Sequence, residues 1–155
     1  MPEKDFYQIS LKTILKNDRD EILILEANNE GRFAGFYDLP GGRIDDNEFT
    51  TPFTEIIMRE LKEEIGDIEV IIDPKPVALG RHLGMPALNS KKDIPVLYIF
   101  FEAKFISGEI KISEEHIGHE WINLKECEPE KLFKSGILEG INTYCHSRPD
   151  RESQE

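Results

Sequence analysis

The segment from Pro52 to Ile65 constrains the fold more than any other part of this chain. Apolar residues recur there at every fourth position, at Phe53, Ile57, Leu61 and Ile65. This spacing places them on one face of an α-helix, and the helix must bury that face against another layer of structure. Thr51 is the predicted N-cap, Pro52 suits the first helical position, and Gly66 ends the helix.

Most of the remaining chain is predicted to form strands. In order, they are Ile9 to Lys16, Glu21 to Ala27, a short strand within Phe36 to Ile44, Ile68 to Ile72, Val77 to Leu83, Val96 to Ile106 and Glu120 to Leu124. The turn-rich Asn17-Asp18-Arg19-Asp20 predicts a hairpin between the first two strands. Val96 to Phe101 is almost continuously apolar, which is typical of a central strand. A terminal helix broken near Gly136 is predicted from Pro129 to Cys145, so the chain reads as a mixed α/β or α+β domain.

The length and charge of the chain limit its class. Its 155 residues predict a single domain over residues 1–146, followed by a polar tail at 147–155. The net charge of -12, from 31 acidic and 19 basic residues, makes a long nucleic acid or an anionic membrane an unfavourable partner. The sequence contains no apolar run long enough to span a membrane and no apolar signal-peptide core. Two distant cysteines, Cys127 and Cys145, favour free thiols and a cytoplasmic location.

The predicted helix also carries three clustered carboxylates. Glu60, Glu63 and Glu64 fall within an arc of roughly 100° next to the apolar face. On a solvated helix such like-charge pairs cost only about 0.2–0.5 kcal/mol each, so an ordinary acidic face is one interpretation. In an enclosed cleft, two such charges repel by roughly 3 kcal/mol and need cations, for which Mg²⁺ or Mn²⁺ are suitable. The helix alone does not separate these two interpretations.

The segment before the helix favours the metal site. Gly41-Gly42 provides backbone that can approach a ligand closely, and Glu48 follows Gly42 by six positions. A carboxylate at Glu48 can pair with Arg59, which also has Glu63 one helical turn further on. The combined spacing of glycine, glutamate, arginine and the helix carboxylates is far more specific than an acidic helix face.

At this point the sequence resembles the Nudix hydrolase family, whose pattern is Gly-x5-Glu-x7-Arg-Glu-U-x-Glu-Glu-x-Gly-U, with U a bulky aliphatic residue. The matching residues are Gly42, Glu48, Arg59, Glu60, Leu61, Glu63, Glu64 and Gly66. Two departures stand out. Ten residues separate Glu48 from Arg59 where the family has seven, which lengthens the loop around Phe49-Thr50-Thr51. Asp67 occupies the final aliphatic position, and Ile68 is expected to take over its packing role.

The resemblance implies a fold, a cofactor and an activity. The fold is an α/β/α sandwich with a mixed β-sheet, one central catalytic helix and a C-terminal helix. The implied metal ligands are Glu60, Glu63 and Glu64, holding Mg²⁺ or Mn²⁺, while Gly42, Glu48 and Arg59 have structural roles. The implied reaction is hydrolysis of a pyrophosphate bond in a nucleoside diphosphate derivative by a metal-activated water. Nucleoside triphosphates, sugar nucleotides and dinucleoside polyphosphates are the substrate classes, and the alternative is a Nudix-like module that senses a nucleotide without cleaving it. Many relatives are dimers, so a homodimer is an alternative to a monomer.

Outside this motif, the candidates are weaker. Glu115, in an acidic segment before Trp121, is the preferred additional catalytic carboxylate, with a solvated loop as the equal alternative. Arg43 and Arg81 are the candidate substrate-binding residues. Arg81 and His82, with Lys91 and Lys92, are candidates for contact with phosphate or base, although a solvated basic loop is the preferred interpretation. Surface positions are expected for His116 and His119, with a part in metal binding or proton transfer as the alternative. Core packing or loop anchoring is expected for Phe33, Phe36 and Tyr37, with stacking on a base as the alternative.

Overall fold

The computed structural model of the chain describes residues 1–30, 33–83 and 94–147. The strands in this part are β1 Gln8–Lys16, β2 Ile22–Ala27, β3 Tyr37–Asp38, β4 Gly41–Arg43, β5 Ile68–Leu83, β6 Pro95–Gly108 and β7 His116–Ile122. The helices are α1 Phe53–Ile65, α2 Pro129–Leu132 and α3 Ser135–Ser147, with a 3₁₀ turn at Leu124–Glu126. The predicted tail at 147–155 lies outside the described residues except for Ser147, the last residue of α3.

The strands form one mixed sheet in the order β3-β2-β1-β6-β5. Strand β1 runs parallel to β6, whereas β5 is antiparallel to β6. The short β4 pairs antiparallel with β1, and β7 pairs antiparallel with β2. The central position predicted for the apolar Val96 to Phe101 is confirmed, because β6 lies between β1 and β5.

Alternating side chains of the sheet feed two separate hydrophobic cores. Leu11 and Leu15 of β1 pack with Ile57 and Leu61 of α1 on one face. On the other face, Ile14 packs with residues of α3, including Ile137. Each fully buried aliphatic side chain of this kind contributes roughly 1.5–3 kcal/mol relative to exposure. The helices therefore cover opposite faces of the sheet, and the predicted α/β/α sandwich is confirmed.

The predicted helix start needs correction, whereas the predicted hairpin is confirmed but short. Helix α1 begins at Phe53 with Pro52 rather than Thr51 at the N-cap, because the carbonyl oxygen of Pro52 accepts the first helical hydrogen bond, from the amide of Ile56 at 3.2 Å. Phe53 is largely exposed, and Ile56 joins the buried face instead. Strands β1 and β2 pair at Lys16 and Ile22, next to the predicted turn. Beyond that pair the edge of β1 is taken by β4, so the hairpin is short.

Two further elements differ from the predicted pattern. The strands expected at Ile68 to Ile72 and Val77 to Leu83 are one bulged strand, β5. Because β5 lies at the edge of the sheet, it tolerates Pro74 and Pro76 without losing ladder hydrogen bonds to a second neighbour. The terminal helix is interrupted at Phe133, which is extended, rather than at Gly136, which is buried within α3. None of the helices in the described residues is long and apolar enough to cross a membrane.

Candidate active site

A cavity of about 630 Å³ opens where α1 meets the turn between β3 and β4. Its acidic end is lined by Glu60, Glu63 and Glu64 of α1, beside the backbone of Gly41 and Gly42. The sequence spacing that predicted three neighbouring carboxylates therefore brings all three to one concave surface. The structure also shows which of them are enclosed, because Glu60 and Glu64 are buried while the side chain of Glu63 is 58% exposed.

The glycine pair shapes the surface on which the buried carboxylates rest. The amide of Gly41 donates a hydrogen bond of 3.0 Å to Oε2 of Glu64. A Cβ placed on Gly42 would overlap the Glu60 carboxyl group and would lie only 2.6 Å from its Cδ atom. Glycine at position 42 therefore leaves the space that the Glu60 carboxyl group occupies, and any larger residue would displace that group.

Arg59 connects the helix carboxylates to the preceding loop. Its Nε and Nη2 atoms donate to the two oxygens of Glu48 at 2.8 and 2.6 Å, a bidentate ion pair that persists despite the longer loop. Its Nη1 atom lies 2.9 Å from Oε1 of Glu60 and 3.2 Å from Oε2 of Glu63. The hydrogen bonds to Glu48 and the nearby carboxylate charges raise the pKa of Arg59. Hydrogen bonds from Arg59 and from the Asp45 amide lower the pKa of Glu48, so the pair stays ionised.

A buried lysine that the sequence analysis did not single out lies beside these carboxylates. The ammonium group of Lys12, on β1, lies 3.1 Å from Oδ2 of Asp38 and 3.5 Å from the carbonyl oxygen of Leu39. Burial lowers its pKa, but Asp38 and Glu64 outweigh that effect, so the pKa of Lys12 is raised and the group is charged. The available signal was a lysine interrupting the apolar β1 run on the same face as Ile14.

Burial also sets the charge state of the helix carboxylates. It raises the pKa of Glu64 to about 7, with the Lys12 charge and the Gly41 hydrogen bond acting in the opposite direction. It raises the pKa of Glu60 as well, against the charge of Arg59. A cation bound beside these two buried carboxylates would stabilise their ionised form.

The carboxylate oxygens of Glu60, Glu63 and Glu64 suit a hard divalent cation, although they do not yet point at one common position. Across residues 1–30, 33–83 and 94–147, no three metal-binding side chains already converge in a ligand cluster. The reason is visible at Arg59, which holds Glu60 and Glu63 through its own hydrogen bonds. Carboxylate oxygens are the ligands that Mg²⁺ and Mn²⁺ prefer. At Gly42, a carboxylate oxygen of Glu60 occupies the space that a Cβ would fill.

Comparison with known proteins identifies the family. The family model for the NUDIX domain matches residues 7–139, which is most of the chain. The chain belongs to the Nudix family. It is a Nudix-type pyrophosphohydrolase, and Nudix hydrolases generally use a divalent metal ion.

Individual Nudix relatives agree with this assignment. The nucleoside triphosphatase NudI of Escherichia coli is 26% identical over 121 residues, which cover 77% of this chain and 80% of that protein. The MutT protein of Methanosarcina mazei Go1 superposes with a TM-score of 0.68 at 25% identity, over 99% of this chain and 100% of its own. The NUDIX domain of Shewanella oneidensis NrtR, solved with ADP ribose, has the same fold, with a TM-score of 0.61 at 13% identity over 98% of this chain and 91% of its own.

The other residues predicted for this Nudix site fall into two groups. Arg43 and Glu115 both line the cavity and are exposed. Arg81 is exposed on β5 and does not line it. The reason is strand alternation: the neighbouring His82 faces the cavity side, stacking against Tyr98, so Arg81 points to the opposite face. The basic residues at positions 91 and 92 lie outside the described residues.

Two histidine predictions and one motif departure are also resolved. His119 is exposed, as expected, but His116 is half-buried and lines the cavity, so its expected surface position is wrong. The difference follows from β7, where His116 lies at the first residue and pairs with Ala27 at a bulge. At the end of the Nudix motif, Asp67 is exposed and Ile68 packs against the core under α1.

Proposed function

We propose that the protein hydrolyses a pyrophosphate bond of a nucleoside triphosphate in a Mg²⁺-dependent reaction. Sugar nucleotides and dinucleoside polyphosphates are the other substrate classes with the same linkage. The observation that carries the proposal is the pair of buried carboxylates, Glu60 and Glu64, at a cavity whose Gly41-Gly42 backbone leaves room for them. The relationship to E. coli NudI, named a nucleoside triphosphatase, supports this choice of substrate.

Glu60, Glu63 and Glu64 would hold the metal ion in this proposal. When bound, Mg²⁺ lowers the pKa of water and offsets the charge that develops on the phosphoryl oxygens. Arg59 has the structural role of orienting Glu60 and Glu63, and Glu48 anchors Arg59 through two hydrogen bonds. Mn²⁺ has the same preference for carboxylate oxygens and is the natural substitute.

The remaining cavity residues would act on the substrate and on the attacking water. Arg43, an exposed residue that lines the cavity, would bind phosphate oxygens, and Glu115 is the proposed group that accepts the proton of the water. The water oxygen forms a bond to phosphorus while the bridging phosphorus–oxygen bond breaks. The products are two molecules that each end in a phosphate group.

The decisive experiment is a substrate panel with and without Mg²⁺, using wild type and the Glu63→Gln and Glu64→Gln variants. The matched control is Glu55→Gln, an exposed carboxylate of the same helix that does not line the cavity. We expect turnover to fall roughly a hundredfold or more in the first two variants and to be unchanged in the control. Undiminished turnover in both cavity variants would reject these residues as metal ligands.

The same panel tests the non-catalytic alternative, a nucleotide sensor. S. oneidensis NrtR provides a structural neighbour whose NUDIX domain binds ADP ribose. Calorimetric binding of a nucleotide without cleavage of any panel member, in the presence of Mg²⁺ or Mn²⁺, would favour the sensor over the enzyme.

We also propose that residues 1–146 form one Nudix domain, supported by the family match and by two cores that share one sheet. The cytoplasmic location stays a prediction, and it is consistent with Cys127 and Cys145 being free thiols in the structure. The homodimer also stays a prediction, and sedimentation velocity at several concentrations tests it.

A further inference from the structure

The cavity has a second end, which we call the recognition end and define by Phe33, Asp38, Tyr98 and His116. It differs chemically from the acidic end, because two of its four residues are aromatic. Lys12 marks the boundary: its charge acts on Glu64 on one side, and its ammonium lies 5.6 Å from the centre of the Tyr98 ring on the other. The cavity therefore places aromatic side chains beside the carboxylates, where the other half of a phosphate-bearing substrate has room to lie.

His82 packs against both aromatic rings of the recognition end. The ring of His82 lies between those of Phe33 and Tyr98, with centroid distances of 5.1 and 6.3 Å. Its Nδ1 atom is 2.6 Å from the hydroxyl oxygen of Ser135, at the start of α3. Tyr98 is only 7% exposed, and the ammonium group of Lys134 lies 5.2 Å from the centre of the Phe33 ring. The half-buried Phe33 therefore supplies most of the apolar surface that a flat heterocycle can contact, with little loss of side-chain entropy on binding.

His116 supplies an unused polar group at the same end. Its Nδ1 atom is buried and has no hydrogen-bond partner within the described structure. Nε2 is therefore the ring nitrogen that a ligand in the cavity can reach. The surrounding charges are those of Asp38, Lys12 and Glu115. Burial lowers the pKa of His116, so the ring is neutral at pH 7, with one donor and one acceptor nitrogen.

We propose that the recognition end binds the nucleobase of the substrate and that Nε2 of His116 hydrogen-bonds to the edge of that base. His116 is then a specificity-determining residue, since Nε2 favours bases whose edge can pair with it over bases that leave it without a partner in the cavity. The inference rests on the proposed function only in taking the substrate to be a nucleotide. It assigns a role to a residue outside the Nudix motif and separates base selection from the metal-binding carboxylates.

The test measures binding without turnover. Dissociation constants of the four common nucleoside monophosphates are measured by calorimetry or ligand-observed NMR in EDTA, for wild type and for three variants of His116. Glutamine places an amide near the Nε2 position, asparagine places it near Nδ1, and leucine has no polar atom. The matched control is His119→Leu, because His119 is exposed on the same strand and does not line the cavity.

We expect wild type to discriminate between the best and worst base by about tenfold or more, as for one hydrogen bond in an enclosed site. His116→Gln and His119→Leu should keep this ranking, whereas His116→Leu and His116→Asn should bring the four constants within about threefold of one another. Circular dichroism melting identifies a variant that has failed to fold, and the comparison of the Gln and Asn variants then decides the result.

Two results would overturn the inference: equal affinity for all four bases in wild type, or an unchanged ranking in both His116→Leu and His116→Asn. Neither result would contradict the proposed hydrolysis, which is tested separately by Mg²⁺-dependent turnover and Glu64→Gln. Conversely, a protein that binds bases selectively through His116 but cleaves no substrate would refute the proposed function and leave this inference standing.

Discussion

Replacing Gly42 by alanine tests the arrangement of the site with a single methyl group. The added Cβ would lie 2.6 Å from Cδ and 2.8 Å from Oε1 of Glu60, well inside van der Waals contact. The carboxyl group of Glu60 must therefore rotate away, which breaks its 2.9 Å contact with Arg59. Because the overlap is with the far end of a long side chain, the free energy of unfolding should change by less than about 1 kcal/mol.

Metal binding should respond far more strongly than stability. With Glu60 displaced, we expect Mn²⁺ affinity of Gly42→Ala to fall at least about tenfold, and turnover to fall with it. The control is Gly35→Ala. At Gly35 the φ angle is +84° and a Cβ meets no atom within 4 Å, so strain should cost about 1 kcal/mol of stability without any effect on metal affinity.

The assays are calorimetric titration with Mn²⁺, urea unfolding and turnover, all on the same preparations. The double variant Gly42→Ala with Glu60→Asp adds a further check, since the shorter acid leaves room for the methyl group. We expect it to recover part of the lost affinity, a coupling that a double-mutant cycle measures. Wild-type Mn²⁺ affinity in Gly42→Ala would refute the close approach of Gly42 and Glu60 as the reason for glycine at this position.

Three other predictions concern charge and shape in the cavity. Because the pKa of Glu64 is raised to about 7, the metal-free protein should lose on the order of 3 kcal/mol of stability, measured by urea unfolding, as the pH rises from 4.5 to 7. Over the same pH range the Mn²⁺ affinity, measured by calorimetry, should increase up to about tenfold per pH unit. Lys12→Met leaves the partly buried carboxylate of Asp38 without its cation and should reduce the free energy of unfolding by about 3 kcal/mol, measured with urea. Phe33→Leu should raise the KM for a nucleotide by about fivefold with little change in kcat, because its ring lines the cavity.

Each of these predictions has a control and a contradicting result. Stability falls with rising pH because the pKa of Glu64 in the folded state lies above its unfolded value of 4.5. The stabilisation is complete below pH 4.5 and is lost as the pH rises through 7. The control is Glu64→Gln, which should flatten the dependence of stability on pH. Asp38→Asn should restore part of the stability lost in Lys12→Met, and an equal loss in the double variant would contradict the pairing. Phe36→Leu, which alters a ring outside the cavity, should leave KM unchanged, and equal effects of both phenylalanine variants would argue against a substrate contact.

The parts of the site that were predictable from sequence are those defined by local spacing. The three glutamates share an α-helix, so their relative positions follow from helical geometry alone. The same holds for the link from Arg59 to Glu63, four residues apart on one helix. The pair between Glu48 and Arg59 was suggested by their opposite charges at the two ends of the loop, and only the structure shows that the longer loop keeps its bidentate geometry.

The parts that were not predictable depend on which strands become neighbours. Lys12 meets Asp38 because β1 pairs with β4 and the intervening turn folds over β1, a contact between residues 26 positions apart. The side chain of Arg81 points away from the cavity for a related reason. The side of the sheet that each residue of β5 faces is set by strand register and bulges, which the sequence propensity does not encode. His116 was placed at the surface because its segment reads as a polar loop, whereas pairing with β2 turns it toward the cavity.

The ion pair between Glu48 and Arg59 also makes the site insensitive to the length of the loop that it closes. The residues between them begin with Phe49, which is 94% exposed, and the entropic cost of closing a flexible loop grows only with the logarithm of its length. An affinity epitope or fluorophore-binding peptide grafted after Phe49 would therefore leave the glutamates of α1 in register. This position offers an attachment point for a reporter near the cavity that α1 lines.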